Sequence, residues 1–194
     1  IYVAADVYRL PFAEGLFDAA TMIRVLHHMA EPQRALQQVR RVLLLGAVFI
    51  LEYANKQNLK AILRYAMGKQ RWHPFSLEPE EFAELNFDFP PRAVRGWLAD
   101  SGFDLQRQLT VSHYRMALFK RLVPLRLLVG MDALASLTGD WWQLSPSVFT
   151  RSIAVGETPM AAPEAFFACP ECLGGLEEAG DVLHCPACAR VWPI

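Results

Sequence analysis

Residues 6–52 read DVYRLPFAEGLFDAATMIRVLHHMAEPQRALQQVRRVLLLGAVFILE, and this stretch decides the fold. Its first residue, Asp6, ends a short apolar run at residues 1–6, and a loop that contains proline and glycine follows. A nearly continuous apolar run at residues 17–23 is typical of a strand buried on both faces of a sheet, and the apolar run at 47–51 predicts a second buried strand. Between them, apolar residues recur every three or four positions from residue 32, as in an amphipathic helix. This order of elements predicts an open α/β sheet with parallel strands.

The composition of the 194-residue chain is that of an ordinary globular protein, with 53% apolar and 20% charged residues. The net charge of −1 gives no overall field that would draw the molecule onto nucleic acid or an anionic membrane, so such a partner would have to meet a local patch. Charged residues interrupt the most apolar region, residues 117–137, and the sequence therefore predicts no membrane span. All four cysteines lie between residues 169 and 188, which suits a reducing cytoplasm and leaves the larger part of the chain without a cysteine nucleophile.

Polar residues end the first two predicted strands. Asp6 closes the run at 1–6, and Arg24, His27 and His28 follow the run at 17–23. In open α/β sheets the ligand crevice lies outside the carboxyl ends of the strands, so these residues are candidates for a binding site. Each also has a plainer explanation. Asp6 would simply cap a turn, and His28 would be a structural hydrogen-bonding residue and not a general base.

The series Asp-x-x-x-Leu-Pro-Phe from Asp6, Phe-Asp at 17–18 and Leu-His-His at 26–28 resembles class I S-adenosylmethionine (SAM)-dependent methyltransferases of the type 11 group. The resemblance implies an α/β fold with a partial Rossmann-like sheet, comprising strands 3 to 7 of that family. The last of these strands would be antiparallel and lie between the fifth and the sixth. The resemblance also implies that SAM is the cofactor, that Asp6 binds its adenine amino group, that the Val7 amide meets the adenine ring, and that Arg24 lines the methionine end.

The same resemblance implies methyl transfer to an acceptor beside the two histidines, with His28 as the candidate general base. A small-molecule acceptor fits best, because the chain lacks the Asn/Asp-Pro-Pro-Tyr motif of adenine amino-group methylases and a cysteine for the covalent route to pyrimidine C5. An RNA or protein acceptor is less favoured. Two other classes stay open: a non-catalytic scaffold that docks a partner through its C-terminal cysteine module, and, more weakly, a nicotinamide-dependent oxidoreductase on a similar sheet.

The chain departs from the family pattern at its front end and in one turn. The sequence from residue 1 onward contains neither the family's Gly-rich SAM loop nor its second-strand acid, so we expect residues 1–156 to be a methyltransferase domain without its N-terminal SAM-binding strands, and the fragment to be inactive alone. The run at 17–23 would then be a sheet edge, and the run at 1–6 would have no neighbour or would pair directly beside it. Leu-Leu-Gly-Ala at 44–47 replaces the family's Lys-Pro-Gly-Gly, and only Gly46 is kept to cap the preceding helix.

Two segments exceed what a minimal sheet domain needs. Residues 55–69 predict a helix with Lys56, Lys60 and Arg64 on one exposed stripe, which would be either solvated or part of a cap that attracts an anionic acceptor. Residues 116–142 form an apolar insertion that would roof the pocket, rest on a lipid surface or pack into the core. The remaining predicted elements are helices starting at residue 78 and spanning 91–101, an edge strand within 103–115 and a last strand at 147–155.

Residues 157–165 are predicted to be a linker, and residues 166–194 a small metal-binding module. Its cysteines form two Cys-x-x-Cys pairs, Cys169/Cys172 and Cys185/Cys188, a spacing that matches a closed, tetrahedral, structural zinc site. A module of about 30 residues does not fold on an apolar core alone, which also favours a metal. A rubredoxin-like iron site and disulfides are the alternatives. The module resembles the zinc-ribbon family of tRNA-methyltransferase activator proteins.

Overall fold

The structure is a computed structural model that describes residues 2–114, 121–157, 160–162 and 165–193. The strands in this part of the chain are β1 (Phe17–Met22), β2 (Leu43–Ala54), β3 (Glu80–Ala83), β4 (Asn86–Asp88), β5 (Phe103–Val111), β6 (Ser147–Ala154), β7 (Glu177–Ala179), β8 (Val182–His184) and β9 (Val191–Pro193). The helices are α1 (Pro32–Val42), α2 (Leu59–Ala66), α3 (Pro91–Asp100) and α4 (Leu125–Ser136). Two short 3-10 turns lie at Leu26–His28 and Leu137–Asp140.

Four strands form the central sheet in the order β1-β2-β6-β5. β1 and β2 run parallel, with Ala19 opposite Val48 and Met22 opposite Leu51. β6 is antiparallel to both of its neighbours, β2 and β5. The predicted α/β class is confirmed, and so is the place of the last strand between its two neighbours. Gly46 is left-handed, with a φ of 81°, but it serves an irregularity in the β1–β2 pairing and not the end of α1.

The front of the chain differs from the prediction. Residues 2–6 are exposed and lie outside any strand, so the expected third strand is not formed, either alone or paired beside β1. β1 is a sheet edge, as expected, but Asp18, Ala19 and Thr21 are exposed although the apolar run predicted burial on both faces. A strand is buried on both faces only where other elements cover them. In the described part of the chain, β1 pairs with β2 alone.

α1 packs against the sheet and ties together the strands that bear the candidate site. It begins at Pro32, where the missing N–H of proline costs nothing. Leu36 is fully buried in the same apolar cluster as Phe49 of β2. Near its C-terminal end the buried Arg40 donates through Nη2 to the Val155 carbonyl at 2.6 Å. The helix is therefore fixed both to the core and to the residue that follows β6.

The segment between β2 and α3 differs from the predicted arrangement. α2 is shorter than expected, and Asn58 caps it by accepting from the Ala61 N–H at 3.0 Å. Lys56, predicted on the exposed stripe, is instead 1% exposed. Its Nζ donates to Ser76 Oγ at 2.7 Å and to the Glu78 carbonyl at 2.6 Å. Burial of the Lys56 ammonium costs little free energy because these two acceptors replace its hydrogen bonds to water. The same two bonds hold the residues after α2 close to the end of β2.

A hairpin formed by β3 and β4 stands where the sequence predicted a short helix from residue 78. Glu80 pairs with Asp88, and the turn between the strands holds Leu85 in the left-handed conformation, with a φ of 49°. The buried Phe89, directly after β4, donates its N–H to the last residue of β2 at 2.8 Å. This long-range anchoring favours the extended conformation over the helix that the local pattern of acids suggested.

β7, β8 and β9 form a separate antiparallel sheet beside the cysteines. This C-terminal module contacts the loop before β1. The Ala13 N–H donates to the Phe166 carbonyl at 3.1 Å, and the Ala168 N–H donates to the Pro11 carbonyl at 3.0 Å. The rings of Phe12 and Phe166 meet edge to face, with centroids 5.7 Å apart. The boundaries expected at residues 156 and 166 stay predictions.

Candidate functional site

The carboxyl ends of the parallel strands β1 and β2 meet at one edge of the sheet. Arg24, two residues beyond β1, has a left-handed backbone with a φ of 58°, and its N–H donates to Glu52 Oε2 at 2.8 Å. Ser147, the first residue of β6, donates its hydroxyl to the other oxygen, Oε1. The left-handed conformation costs a non-glycine residue about 1–2 kcal/mol. The buried Glu52 carboxylate offsets this cost and so fixes the turn that leaves β1.

His27 and His28 lie in the 3-10 turn that follows, with ring centroids 4.1 Å apart. Nδ1 of His28 is 3.1 Å from the carbonyl oxygen of Leu85 at the hairpin tip. Because a carbonyl only accepts, Nδ1 carries the proton, and Nε2 of the neutral ring keeps a lone pair. Burial, and then the neighbouring His28, lower the pKa of His27, while Glu52 opposes the shift. Of the two rings, His28 is the more exposed, and its Nε2 makes no hydrogen bond within the described part of the chain.

Asp6 and Val7 lie at the same end of the sheet as Arg24 and His28. This placement follows from Tyr8, whose hydroxyl accepts at 3.2 Å from the N–H of Glu31, the residue just before α1. Because the chain enters α1 from the carboxyl end of β1, the start of α1 lies at that end of the sheet. Val7 is half-buried against the core. Asp6 is exposed, and its Oδ1 accepts from the Tyr8 N–H at 2.9 Å, which is the turn-capping role. Among the described residues, no hydrogen bond joins the Asp6 carboxylate to Arg24 or His28.

Sequence reasoning missed the two residues that organise this edge, Glu52 and Ser147. A usable signal existed for Glu52, because it directly follows the apolar run at 47–51, in the pattern that singled out Asp6. Ser147 carried no such signal. It lies 95 residues away from Glu52 in the sequence, and only the insertion of β6 beside β2 brings the two together.

The four cysteines converge on one point. Their sulfur atoms all lie within 4.8 Å of one another. The Sγ atoms of Cys169 and Cys188 are 3.6 Å apart, and those of Cys172 and Cys185 are 3.5 Å apart. A disulfide would require about 2.05 Å. Four thiolates at about 2.3 Å from a tetrahedral zinc ion lie about 3.8 Å from one another, so this donor set fits zinc without rearrangement of the fold.

The two Cys-x-x-Cys pairs have the same backbone geometry. The Leu173 N–H donates to the Cys169 carbonyl and the Ala189 N–H to the Cys185 carbonyl, each at 2.8 Å. Leu173 and Ala189 are both left-handed, with φ of 61° and 59°. Burial raises the pKa of the Cys169 thiol, but hydrogen bonds, led by that from the backbone N–H of Cys172, outweigh it and lower the pKa to about 6. This turn therefore favours the thiolate form of Cys169, the form that binds metal. At Cys172 and Cys188, hydrogen bonds from the Gly174 and Arg190 backbones lower the pKa, but burial and the neighbouring sulfur atoms outweigh them and leave the pKa raised.

Residues 1–51 match a family model described as a methyltransferase domain. The chain is also similar to a demethylmenaquinone methyltransferase from Thermus thermophilus, with 30% identity over 118 residues. The aligned region is 56% of this chain and 54% of that protein, so the chain spans about half the length of the curated relative it matches.

Among solved structures, the chain is similar to the complex of a methyltransferase activator and a methyltransferase from Haloferax volcanii. The TM-score is 0.50 at 13% identity, over 81% of this chain and 62% of that chain. A SAM-dependent methyltransferase from Thermotoga maritima gives a TM-score of 0.48 at 14% identity, over 77% of this chain and 62% of that chain. At such identities the likeness concerns the fold alone, which is an α/β fold. Within the described residues, no helix is long and apolar enough to cross a membrane.

Proposed function

We propose that this chain acts in SAM-dependent methyl transfer to a small-molecule acceptor, at the sheet edge where β1 and β2 end. The observation that carries the proposal is the turn after β1. It belongs to the segment that matches the methyltransferase domain, and the buried Glu52 holds its backbone at the ligand-binding edge of the sheet.

Each candidate residue at this edge is matched to one part of SAM. Asp6 is an exposed carboxylate able to accept from the adenine amino group, and the Val7 N–H would meet the adenine ring. Arg24 would lie beside the methionine end. SAM supplies a methyl group on a positively charged sulfur, so the protein has chiefly to align the acceptor with that methyl group and to exclude water. A site with few acid or base groups is consistent with that task.

We assign proton removal from the acceptor to His28. Its Nδ1–H is bound to the Leu85 carbonyl, which leaves Nε2 of the neutral ring as the basic atom. A positioned general base contributes about 10²- to 10⁴-fold to a rate. Leu85 is thus a positioning residue, because the hairpin tip selects the tautomer of the histidine that would touch the acceptor.

The test is transfer of tritium from methyl-labelled SAM by the full-length gene product into a cell extract, with and without ribonuclease and protease. We expect label in the small-molecule fraction that survives both treatments. Loss of label after ribonuclease or protease would identify RNA or protein as the acceptor instead. If the full-length product neither transfers label nor binds SAM in calorimetry, the enzyme assignment is wrong and a non-catalytic scaffold is favoured.

Two substitutions separate cofactor binding from chemistry in the same assay. Asp6→Ala should raise KM for SAM with little change in kcat, whereas His28→Asn should lower kcat about 10²-fold or more with little change in KM. Exposed residues of the same types provide matched controls, namely Asp181→Ala and His73→Asn. If both site variants behave like the controls, this edge of the sheet is not the active site.

We also propose that Cys169, Cys172, Cys185 and Cys188 bind one structural zinc ion, as in the zinc ribbons that the module resembles. The closed four-sulfur set supports this, since it leaves no coordination position for a substrate. Elemental analysis of purified protein should give one zinc per chain. One iron per chain, with the visible absorption of an iron–thiolate centre, would assign the rubredoxin-like alternative.

A further inference from the structure

One surface of the molecule carries many large apolar side chains in contact with solvent. We call it the apolar face and define it as the outward side of α2, α4 and the residues between the second 3-10 turn and β6. Its most informative members are between 50% and 77% exposed: Leu59, Leu63, Leu125, Leu134, Trp141 and Trp142. Single exposed apolar residues are normal on proteins, but a cluster of this kind marks an interaction surface.

α2 and α4 contribute to one surface because the residues after the second 3-10 turn join them. The N–H of Leu59, at the start of α2, donates to the Leu144 carbonyl at 2.8 Å. Asn55, just before α2, donates its side-chain amide to the Gln143 carbonyl at 2.6 Å. α4 runs directly into that 3-10 turn. The exposed Trp141 and Trp142 therefore lie on the short segment of chain that leads from the end of this 3-10 turn to the residues bonded at the start of α2.

α4 is not a core helix. Leu128 is its only buried residue, although leucine, valine, methionine and alanine are spread around its whole circumference. A helix that is apolar all round is normally buried in a protein core or in a membrane. α4 contacts β5, the strand at the opposite edge of the sheet from β1, so the apolar face is distinct from the free edge of β1.

The charges of this surface have one sign. Residues 57–77 and 121–131, which include α2 and the first half of α4, contain basic residues and no acids. Lys60, Arg64, Arg121 and Arg126 are exposed among the apolar side chains. A chain with a net charge of −1 thus concentrates cations where it exposes apolar groups.

The two acids in the neighbouring residues have carboxylates bound to the sheet. Oδ1 of Asp132 accepts from the His113 N–H at 2.9 Å. Oδ1 of Asp140 accepts from the Gln108 N–H of β5 at 2.6 Å. Both carboxylates are therefore bonded to β5 and the residues that follow it, and in the described part of the chain neither forms an ion pair with a cation of the outward side.

We propose that the apolar face docks the protein on the surface of an anionic lipid bilayer. Apolar side chains can enter the headgroup region, tryptophan favours that interface, and lysine and arginine are attracted to anionic lipids. The docking is peripheral and needs no spanning helix. A second copy of this chain is a poorer occupant, because the same face on both copies would bring cations against cations.

The test is flotation of the protein with vesicles that contain phosphatidylglycerol and phosphatidylcholine, compared with vesicles of phosphatidylcholine alone. We expect binding to the anionic vesicles that weakens at least tenfold on pure phosphatidylcholine or in high salt. Each cation near the surface contributes about fivefold to binding. A Lys60→Gln/Arg64→Gln variant, which lacks two cations, should therefore bind at least tenfold more weakly. A Trp141→Ser/Trp142→Ser variant should also bind at least tenfold more weakly, because it lacks two side chains that favour the headgroup region.

Leu45→Gln/Val191→Gln is the matched control, since these residues are 62% and 55% exposed but lie near the start of β2 and in β9, away from the apolar face. All these side chains are exposed, so the variants should melt at the wild-type temperature. Equal vesicle binding by wild type, variants and control would overturn the proposal. So would a dimer that the tryptophan substitutions dissociate while vesicles fail to bind, since the face would then be assigned to a second copy.

Discussion

Removal of the zinc ion that we propose for the C-terminal module should unfold that module while the central sheet stays folded. Apart from its contacts with the loop before β1, the module has little apolar packing of its own, because Ala168, Cys169, Leu183 and Cys185 are its only buried apolar residues in the described part of the chain. Fully burying one leucine contributes about 1.5–3 kcal/mol. A structural zinc ion in a small module contributes about 10–16 kcal/mol. The metal term is by far the larger, so folding of the module should depend on it.

The assay is hydrogen exchange read by mass spectrometry before and after treatment with a strong chelator. The reporting amides are those of Cys169, Leu173, Cys185 and Ala189. Leu173 and Ala189 donate to the carbonyl of the first cysteine of each pair, and Cys169 and Cys185 donate to the Gly174 and Arg190 carbonyls just beyond each pair, all at 2.8–2.9 Å. They should exchange freely once the metal is removed. Amides of β2 and β6 should keep their protection, since their ladder does not involve the module.

A substitution makes the same point without a chelator. Cys188→Ser removes one of four ligands and should weaken metal affinity at least about 100-fold, or about 2.7 kcal/mol. Ala187→Ser changes a neighbouring exposed residue that is not a ligand and should leave the affinity unchanged. If the four amides stay protected after complete removal of metal, or if the two variants bind it equally, the module folds without a metal and our reasoning is wrong.

Three further predictions concern the stability of the larger part of the chain. Gly139→Ala should lower the free energy of unfolding, measured by urea titration, by about 3 kcal/mol or more, because the new Cβ would lie 2.5 Å from the backbone oxygen of Gln108. The control is Gly130→Ala, whose Cβ meets nothing within 4 Å, so the same titration should show a neutral or stabilising effect. Burial raises the pKa of Asp132, but the hydrogen bonds from His113 outweigh it and leave the pKa lowered. The Asp132 carboxylate therefore stabilises the fold above about pH 4, and this contribution is lost below that pH. Asp132→Asn should make the melting temperature less dependent on pH in that acid range, and an unchanged dependence would contradict the assignment. Burial, and then Glu80, raise the pKa of Asp88 against the opposing effect of Lys56, so its carboxylate destabilises the fold above about pH 4; Asp88→Asn should raise the melting temperature at pH 7 and leave it unchanged near pH 3.

Much of the fold could be predicted from patterns local to the sequence. The apolar periodicity from Pro32 predicted α1, the continuous run at 47–51 predicted the heart of β2, and the Cys-x-x-Cys spacing predicted that four sulfur atoms would converge. These features depend on residues a few positions apart, whose relative placement follows from helix and strand geometry alone. The hairpin of β3 and β4 could not be predicted in this way, because Phe89 and the end of β2 favour it from outside the segment.

The candidate site divides along the same line. The sequence by itself determined that Arg24, His28 and Asp6 would follow strands or apolar runs, since the chain order of apolar runs and polar ends is a local property. Only the tertiary structure decided that Glu52 and Ser147 hold the turn at Arg24, that Lys56 is buried, and that α4 keeps its apolar side chains in solvent. The physical reason is that a hydrogen-bond partner or a covering surface comes from residues distant in the chain. A local sequence pattern does not predict which of these distant residues will make the contact.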